Sequence, residues 1–128
     1  MRPQGLVAAA IVLGVPAAMA QTFGSRTHFT EQGGAAIYAG VCAACHMPNG
    51  LGASGAGSYP SLAHDARLAA AAYPIGVVVQ GQRAMPSFAE TLSDQQIAEV
   101  ITYVRTHFGN AYADGVTPAQ VGAARSSR

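Results

Sequence analysis

The chain has 128 residues, no lysine, and a formal net charge of +1 from seven arginines and six acidic residues. A chain of this length suits one domain and is too short for two ordinary ones. The small net charge argues against nucleic-acid binding through a basic patch, and the lack of lysine excludes a lysine-studded docking face. We therefore expect any protein partner to dock through an apolar surface with little sensitivity to salt.

Residues 1–20 have the parts of a secretory signal peptide. Arg2 supplies the positive start, residues 6–15 form an apolar stretch too short to span a bilayer, and Ala18-Met19-Ala20 is a small-residue cleavage site. We expect export with cleavage after Ala20, and an uncleaved N-terminal anchor is the alternative. No second long apolar run follows, so the mature chain is predicted to lack a transmembrane segment.

The mature chain begins with a polar segment, residues 21–33, which we expect to be a flexible leader. A helix is predicted to start near Thr30-Glu31. Apolar positions then recur at helical spacing, at Ile37, Tyr38, Val41, Cys42 and Cys45. This helix leads directly into the pentapeptide Cys42-Ala43-Ala44-Cys45-His46.

The pentapeptide is typical of covalent haem attachment. On a helix, Cys42 and Cys45 are three residues apart and share one face, so each sulfur can bond one of the two vinyl groups of a porphyrin. His46 lies on the same side and can reach the iron as its proximal ligand. Three alternatives remain. A structural zinc site needs four ligands, and a thioredoxin-like redox pair belongs beside a βαβ unit. A structural disulfide leaves His46 unexplained.

The following segment predicts short helices joined by glycine-rich loops. Residues 49–58 form a loop by composition, and residues 63–72 form an alanine-rich helix that should stop at Tyr73, the residue before a proline. Pro74 suits the first turn of another short helix, which Gly81 ends.

The strongest helix signal begins at Ser93, which forms a capping box with Gln96. The helix is predicted to end at Gly109-Asn110. Its apolar stripe consists of Ile97, Val100, Ile101, Val104 and Phe108.

Residues 111–128 are expected to form a C-terminal tail. One last helical turn is predicted there, with Thr117 as its cap, Pro118 in the first position and Gln120 as the capping-box partner. Because strand-like alternation is scarce, the predicted fold class is all-α, with three to five helices.

A second iron ligand must come from a distant part of the chain, because His46 occupies one face of the haem. Met47 is adjacent to His46 and cannot reach the other face, which makes Met85, in the loop of residues 81–88, the candidate ligand. A methionine that fills a gap in the core is the alternative interpretation of Met85. The competing ligands are His28, His64 and His107. We expect His28 in the leader, His64 on the surface and His107 at a helix end.

Taken together, these motifs resemble those of the class I c-type cytochromes. Gly34 and Tyr38 lie eight and four residues before Cys42, where that family has the glycine and the aromatic residue of its first helix. The resemblance implies a cytochrome c fold over residues 34–110, wrapped around one haem c bound covalently through Cys42 and Cys45.

The resemblance also extends to the surroundings of the iron. Pro60 matches a proline whose carbonyl accepts a hydrogen bond from the proximal histidine, and Met85-Pro86 resembles the axial methionine segment. Many relatives have a tryptophan near the haem propionates, but this chain has none. Tyr59, Tyr73 and Arg83 are the candidate substitutes.

More narrowly, residues 41–50 and 81–88 resemble small bacterial cytochromes paired with periplasmic dehydrogenases, and haem domains in the cytochrome subunits of alcohol dehydrogenases. This implies a monomeric periplasmic electron carrier, not an enzyme, that passes single electrons from a dehydrogenase to a terminal oxidase or another cytochrome. A fixed cytochrome subunit of a dehydrogenase or oxidase complex is the first alternative. A five-coordinate haem protein that binds ligands is the second, but the helix-bundle cytochromes of that type carry the motif near the C-terminus.

Overall fold

The computed structural model describes residues 28–127, and this part of the chain is mainly helical, as predicted. The predicted signal peptide and most of the predicted leader lie outside the described residues. Within residues 28–127, no helix is long and apolar enough to cross a membrane. The elements, in chain order, are α1 (Gly34–Ile37), a π-helical turn (Tyr38–Cys42), α2 (Ala43–His46), β1 (Ala53–Ser54), β2 (Ser58–Tyr59), a 3-10 helix (Ala66–Ala69), α3 (Ala72–Gln80), α4 (Asp94–Thr106) and α5 (Pro118–Ser126).

The first helix crosses α4 at a point where only glycine fits. A methyl group on Gly34 would collide with the main chain of Glu99 and with Cβ of Tyr103. At the same crossing the Glu99 carboxylate accepts a hydrogen bond from the main-chain N–H of Gly33 at 2.9 Å. This bond ties the residue before α1 to α4, and the two helices pack against each other.

The sequence predicted a helix that starts near Thr30, but the helix begins at Gly34. Gly33 has a φ of +82°, which interrupts a helix at this position. The preceding residues are not helical and are held by α4, because the Gln96 amide donates to the main-chain carbonyls of Phe29 and Glu31, at 2.8 and 3.0 Å. The last residues of the expected leader, 28–33, are therefore packed against the domain.

The core lies where the apolar stripe of α4 meets the other helices. Ile97, Val100, Ile101 and Val104 are buried as predicted, and the capping box forms, with Gln96 N 3.2 Å from Ser93 Oγ and Ser93 N 2.9 Å from Gln96 Oε1. The helix ends earlier than predicted, at Thr106. Phe108 then turns back with a φ of +58° and packs its ring against Tyr38, with the ring centroids 4.8 Å apart.

The alanine-rich segment 63–72 differs from its prediction. Within it, Ala66–Ala69 form a short 3-10 helix capped by Asp65, and only the last residue, Ala72, belongs to an α-helix. His64 has a φ of +49°, and Asp65 and Ala70 are extended, so the segment does not form one continuous helix. The N–H of Asp65 donates to the Asn110 side chain at 2.9 Å, a tertiary contact that holds the segment in this conformation. α3 instead begins at Ala72, carries Pro74 in its first turn, and ends at Gly81, which has a φ of +77°.

The expected C-terminal tail contains a longer helix than the predicted single turn. The predicted capping box of Thr117 and Gln120 forms, and α5 then continues for nine residues. Val121 is fully buried, and the helix packs against α3 and α4. Residues 118–126 are thus part of the same folded unit.

Candidate functional site

One helical turn presents the Cys-x-x-Cys-His motif. The π-helical turn ends at Cys42, and α2 contributes a single regular turn that ends at His46. Cys42 is half-buried, Cys45 is exposed, and the two thiols are free. Their three-residue separation on a regular turn leaves both sulfurs available on one side of the helix.

His46 is buried, with 8% of its surface exposed, and its ring is fixed by the main chain. Nδ1 lies 2.9 Å from the carbonyl oxygen of Pro60, the contact that the cytochrome resemblance implied. Because a carbonyl only accepts, Nδ1 carries the proton, and Nε2 keeps its lone pair. The imidazole is therefore in the tautomer that binds a metal through Nε2.

The loop after His46 returns to it through a short hairpin. The N–H of Gly52 donates to the main-chain carbonyl of His46 at 3.0 Å, and β1 pairs antiparallel with β2 so that Ala53 lies opposite Tyr59. Gly52 has a φ of +66°, and a Cβ there would lie 2.8 Å from the carbonyl oxygen of Pro60. A glycine at this position lets the hairpin close tightly enough to bring Pro60 to the ring.

A second contact fixes the other side of the motif. The hydroxyl of Tyr38 donates to the carbonyl of Met47 at 2.7 Å, and Met47 has a φ of +64°, which ends α2. The pKa of Tyr38 is raised to about 12, mainly by burial and to a smaller extent by the nearby Cys42 and Tyr103, so the hydroxyl keeps its proton. The sequence predicted Tyr38 only as a helix residue; the hydrogen bond depends on the turn at Met47, which has no local signal.

The electrostatics of Cys42 argue against a redox-active thiol pair. Burial, and secondarily Cys45, raises the pKa of the Cys42 thiol to about 12. Reactive cysteines in thioredoxin-like pairs have a lowered pKa, because the thiolate is the reactive form. A thioether carries no charge, so this environment suits a sulfur that is covalently attached to an apolar group. Within residues 28–127, no group of three or more His, Cys, Asp or Glu side chains is placed to hold a metal ion.

Met85 lies in a tight turn between α3 and α4. Its main-chain N–H and carbonyl pair with Gln82, each at 3.0 Å, so the loop closes on itself. The Met85 side chain is half-buried. Arg83 is at the tip of this turn with a φ of +54°, exposed and without a hydrogen-bond or ion-pair partner among the described residues.

The structure thus brings some of the predicted residues together and leaves others apart. His46, Pro60 and the two cysteines lie around one turn, and Tyr59 belongs to the adjacent strand β2, with its side chain 41% exposed. Arg83 and Met85 belong to a separate loop. Of the competing histidines, His28 and His64 are exposed, and His107 is stacked on Tyr103 at 3.9 Å between ring centroids, with its Nδ1 at 2.8 Å from the Tyr103 carbonyl.

The sequence on both sides of the motif is free of lysine, arginine, aspartate and glutamate over a long stretch. Between Glu31 and Asp65 there is no lysine, arginine, aspartate or glutamate. The same stretch contains the exposed apolar side chains Leu51 and Tyr59, which are 60% and 41% exposed. We call residues 32–64 the uncharged segment.

The donor set fits haem c: two free sulfurs on one helical turn, and an imidazole whose Nε2 is left free by the Pro60 bond. Together with the helical core, these features define a c-type cytochrome domain. Residues 30–104 match the family described as cytochrome c oxidase, cbb3-type, subunit III, and the chain belongs to that family. Membership implies haem c as the cofactor and electron transfer as the role.

A curated relative supports the same class. The chain is 36% identical over 95 residues to the fructose dehydrogenase cytochrome subunit of Gluconobacter japonicus. The match covers 62% of this chain and 19% of the relative, so the chain spans less than a fifth of the relative's length.

Proposed function

We propose that this protein transfers single electrons in the periplasm through one haem c, bound covalently by Cys42 and Cys45 and ligated by His46 and Met85. The observation that carries the proposal is the bond from His46 Nδ1 to the Pro60 carbonyl, at 2.9 Å, on a Cys-x-x-Cys-His turn. That bond sets the tautomer and orientation required of a proximal ligand. The haem, when bound, supplies a centre that gains or loses one electron.

The chain's own residues determine how that centre behaves. His46 would hold the iron through Nε2, and the hydrogen bond from its Nδ1 to the Pro60 carbonyl would make the imidazole a stronger donor. Met85 would supply a thioether, which favours the less charged, reduced state and would raise the reduction potential. With two protein side chains bound, the iron would offer no site for a substrate, so the proposed role is that of a carrier and not of an enzyme.

A dehydrogenase is the proposed electron donor, and an oxidase or another cytochrome is the acceptor. The relative from Gluconobacter japonicus is the cytochrome subunit of a fructose dehydrogenase, which supports this class of donor. The predicted signal peptide supports the periplasmic location. The exposed Leu51 and Tyr59 in the uncharged segment supply apolar surface for a transient partner.

A fixed position within an enzyme complex is the second candidate, because the relative is itself a subunit. Purification of the native protein distinguishes the two. A free carrier elutes alone at the size of one chain, and a subunit elutes with a large dehydrogenase or oxidase.

The ligands are tested on protein produced in cells that contain the haem-ligation machinery. The wild-type protein should gain the mass of one haem, show a low-spin spectrum, and bind no carbon monoxide when reduced at neutral pH. Met85→Ala should bind carbon monoxide and have a lower potential, and Met47→Leu, which changes the methionine next to His46, is the matched control. An unchanged spectrum and potential in Met85→Ala would exclude this ligand, and stably folded, colourless wild-type protein would exclude the haem assignment itself.

A further inference from the structure

The C-terminal helix reaches the segment that follows Met85. Val121 and Arg125 are four residues apart in α5 and so lie on one face of the helix. Val121 is fully buried, and a Cβ on Gly122 would lie 3.2 Å from Asp94 Oδ2. The backbone of α5 therefore runs close to the first residue of α4. Residues 105–127 lie beyond the segment that matches the family.

Arg125 binds three acceptors at this contact. Its guanidinium donates to the carboxylate of Asp94, to the carbonyl of Ala89, and to the carbonyl of Leu92, the last at 2.7 Å. Two of the acceptors are main-chain groups between Met85 and the start of α4. An arginine suits this role because its planar group of five N–H donors can hold several acceptors at once.

The opposite side of the same segment is held by α3. Ser87 Oγ donates to the carbonyl of Val79 at 2.6 Å, and the N–H of Phe88 donates to the carbonyl of Val78 at 2.9 Å. The chain that carries Met85 is thus attached to α3 directly after the methionine and to α5 a few residues later. These attachments limit how far the chain that carries Met85 can move.

We propose that α5 positions the axial-ligand loop, and that Arg125 determines how firmly Met85 remains on the iron. This inference rests on the proposed ligation by Met85. A small ligand that competes with Met85 must displace the loop, so the bonds of Arg125 add to the free energy needed for that displacement. Arg125 acts through the loop and is a positioning residue without contact to the haem.

The test is imidazole binding to the oxidised holoprotein, followed together with the charge-transfer absorption band specific to methionine-ligated ferric haem. Arg125→Met removes the three bonds and keeps the apolar stem; we expect the affinity for imidazole to rise about tenfold, which corresponds to about 1.4 kcal/mol. Arg125→Lys keeps the charge but cannot hold three acceptors, and should give an intermediate affinity. Asp94→Asn weakens one contact only, and serves if Arg125→Met folds poorly.

Arg67→Met is the matched control, because Arg67 also forms an ion pair with a nearby aspartate, Asp65 at 2.8 Å, but in the 3-10 helix. The proposal requires its imidazole affinity to remain that of the wild type. Equal affinities in Arg125→Met and the wild type would overturn the proposal, and so would an equal rise in Arg67→Met. Met85→Ala is measured alongside. If its oxidised spectrum equals that of the wild type, Met85 is not an iron ligand. If its spectrum changes but Arg125→Met binds imidazole like the wild type, only the positioning role of Arg125 is overturned.

Discussion

Arg105, which is fully buried, donates from its guanidinium to both the side chain and the main-chain carbonyl of Asp114, which is largely exposed. The same guanidinium donates to the carbonyls of Leu68 and Ala69, at 2.8 and 3.0 Å. Arg105, near the end of α4, therefore holds two parts of the chain in place. One is the segment that leads to α5, and the other is the 3-10 helix that precedes α3. The hydrogen bond that the Asp114 carboxylate accepts from Arg105 lowers the pKa of that carboxyl group, which keeps it charged at neutral pH.

Replacement of Arg105 is predicted to be among the most destabilising changes outside the haem site. Arg105→Met leaves the carbonyl of the buried Leu68 without its donor and removes the bonds to Ala69 and Asp114, and we expect a loss of about 3 kcal/mol in the free energy of unfolding. Denaturant unfolding of the holoprotein measures this loss in the free energy of unfolding. Arg67→Met is the control, since Arg67 is 55% exposed and its ion pair should contribute less than about 1 kcal/mol. Equal losses in the two variants would contradict the role of Arg105.

Local signals in the sequence were sufficient for the helices that begin with a capping box. Ser93 with Gln96, and Thr117 with Gln120, carry all the required groups within four residues, so the starts of α4 and α5 were predicted correctly. The mostly helical fold class was confirmed for the same reason. The pentapeptide from Cys42 to His46 could also be interpreted from its spacing alone.

The features that the sequence did not predict depend on contacts between distant residues. The alanine-rich segment 63–72 favours a helix by propensity, but the bond from Asp65 to Asn110 holds it in another conformation. Arg105 and Arg125 are indistinguishable from surface arginines in the sequence, because each also donates to two main-chain carbonyls that are 33 to 37 residues away. The bond between His46 and Pro60 was expected only through the cytochrome resemblance, since the hairpin that closes it has just two residues in each strand.

Tyr38 should make the stability of the protein depend on pH in the alkaline range. Its pKa is raised to about 12 in the folded chain, mainly by burial, against about 10 when unfolded. Between these values the unfolded chain binds fewer protons than the folded one, so the stability due to Tyr38 should be constant below about pH 10 and fall as pH rises from about 10 to about 12.

Tyr38→Phe tests both the pH dependence of stability and the hydrogen bond to Met47. The variant should lose about 1 kcal/mol at neutral pH, because the buried carbonyl of Met47 loses its donor, and it should show a weaker fall in stability above pH 10 or so. Tyr112→Phe is the control, because its hydroxyl makes only a long contact of 3.4 Å with the Asp65 carbonyl. Parallel pH profiles for the wild type and Tyr38→Phe would contradict the assignment.

Gly52→Ala should alter the iron through the proximal histidine. The new Cβ would collide with the carbonyl oxygen of Tyr59 and lie 2.7 Å from the carbonyl carbon of Pro60, and the positive φ of Gly52 adds strain. The chain at residues 59–60 must shift, which moves the Pro60 carbonyl away from His46 Nδ1. A weaker bond makes the imidazole a poorer donor and destabilises the oxidised state. The potential should therefore rise; loss of about 1 kcal/mol of bonding corresponds to roughly 40 mV.

Redox titration of the holoprotein measures this shift, with Gly55→Ala as the matched control. Gly55 is in the same hairpin, but a Cβ there meets nothing within 4 Å. Its variant should keep the wild-type potential. A potential that stays constant or falls in Gly52→Ala would show that the Pro60 carbonyl does not tune His46.

The uncharged segment predicts electron exchange that responds little to salt. Residues 32–64 include the motif and contain no lysine, arginine, aspartate or glutamate, so this stretch adds no formal charge near it. Rates with an anionic and a cationic small-molecule oxidant should each change less than about twofold as the ionic strength is raised, whereas charge-steered reactions change by about tenfold or more. Ser54→Arg places a charge on this segment and should accelerate the anionic oxidant at low salt, and Ala119→Arg, at an exposed position in α5, is the control. A strong salt dependence in the wild type, or equal acceleration by both variants, would mean that electrons leave through a different face of the protein.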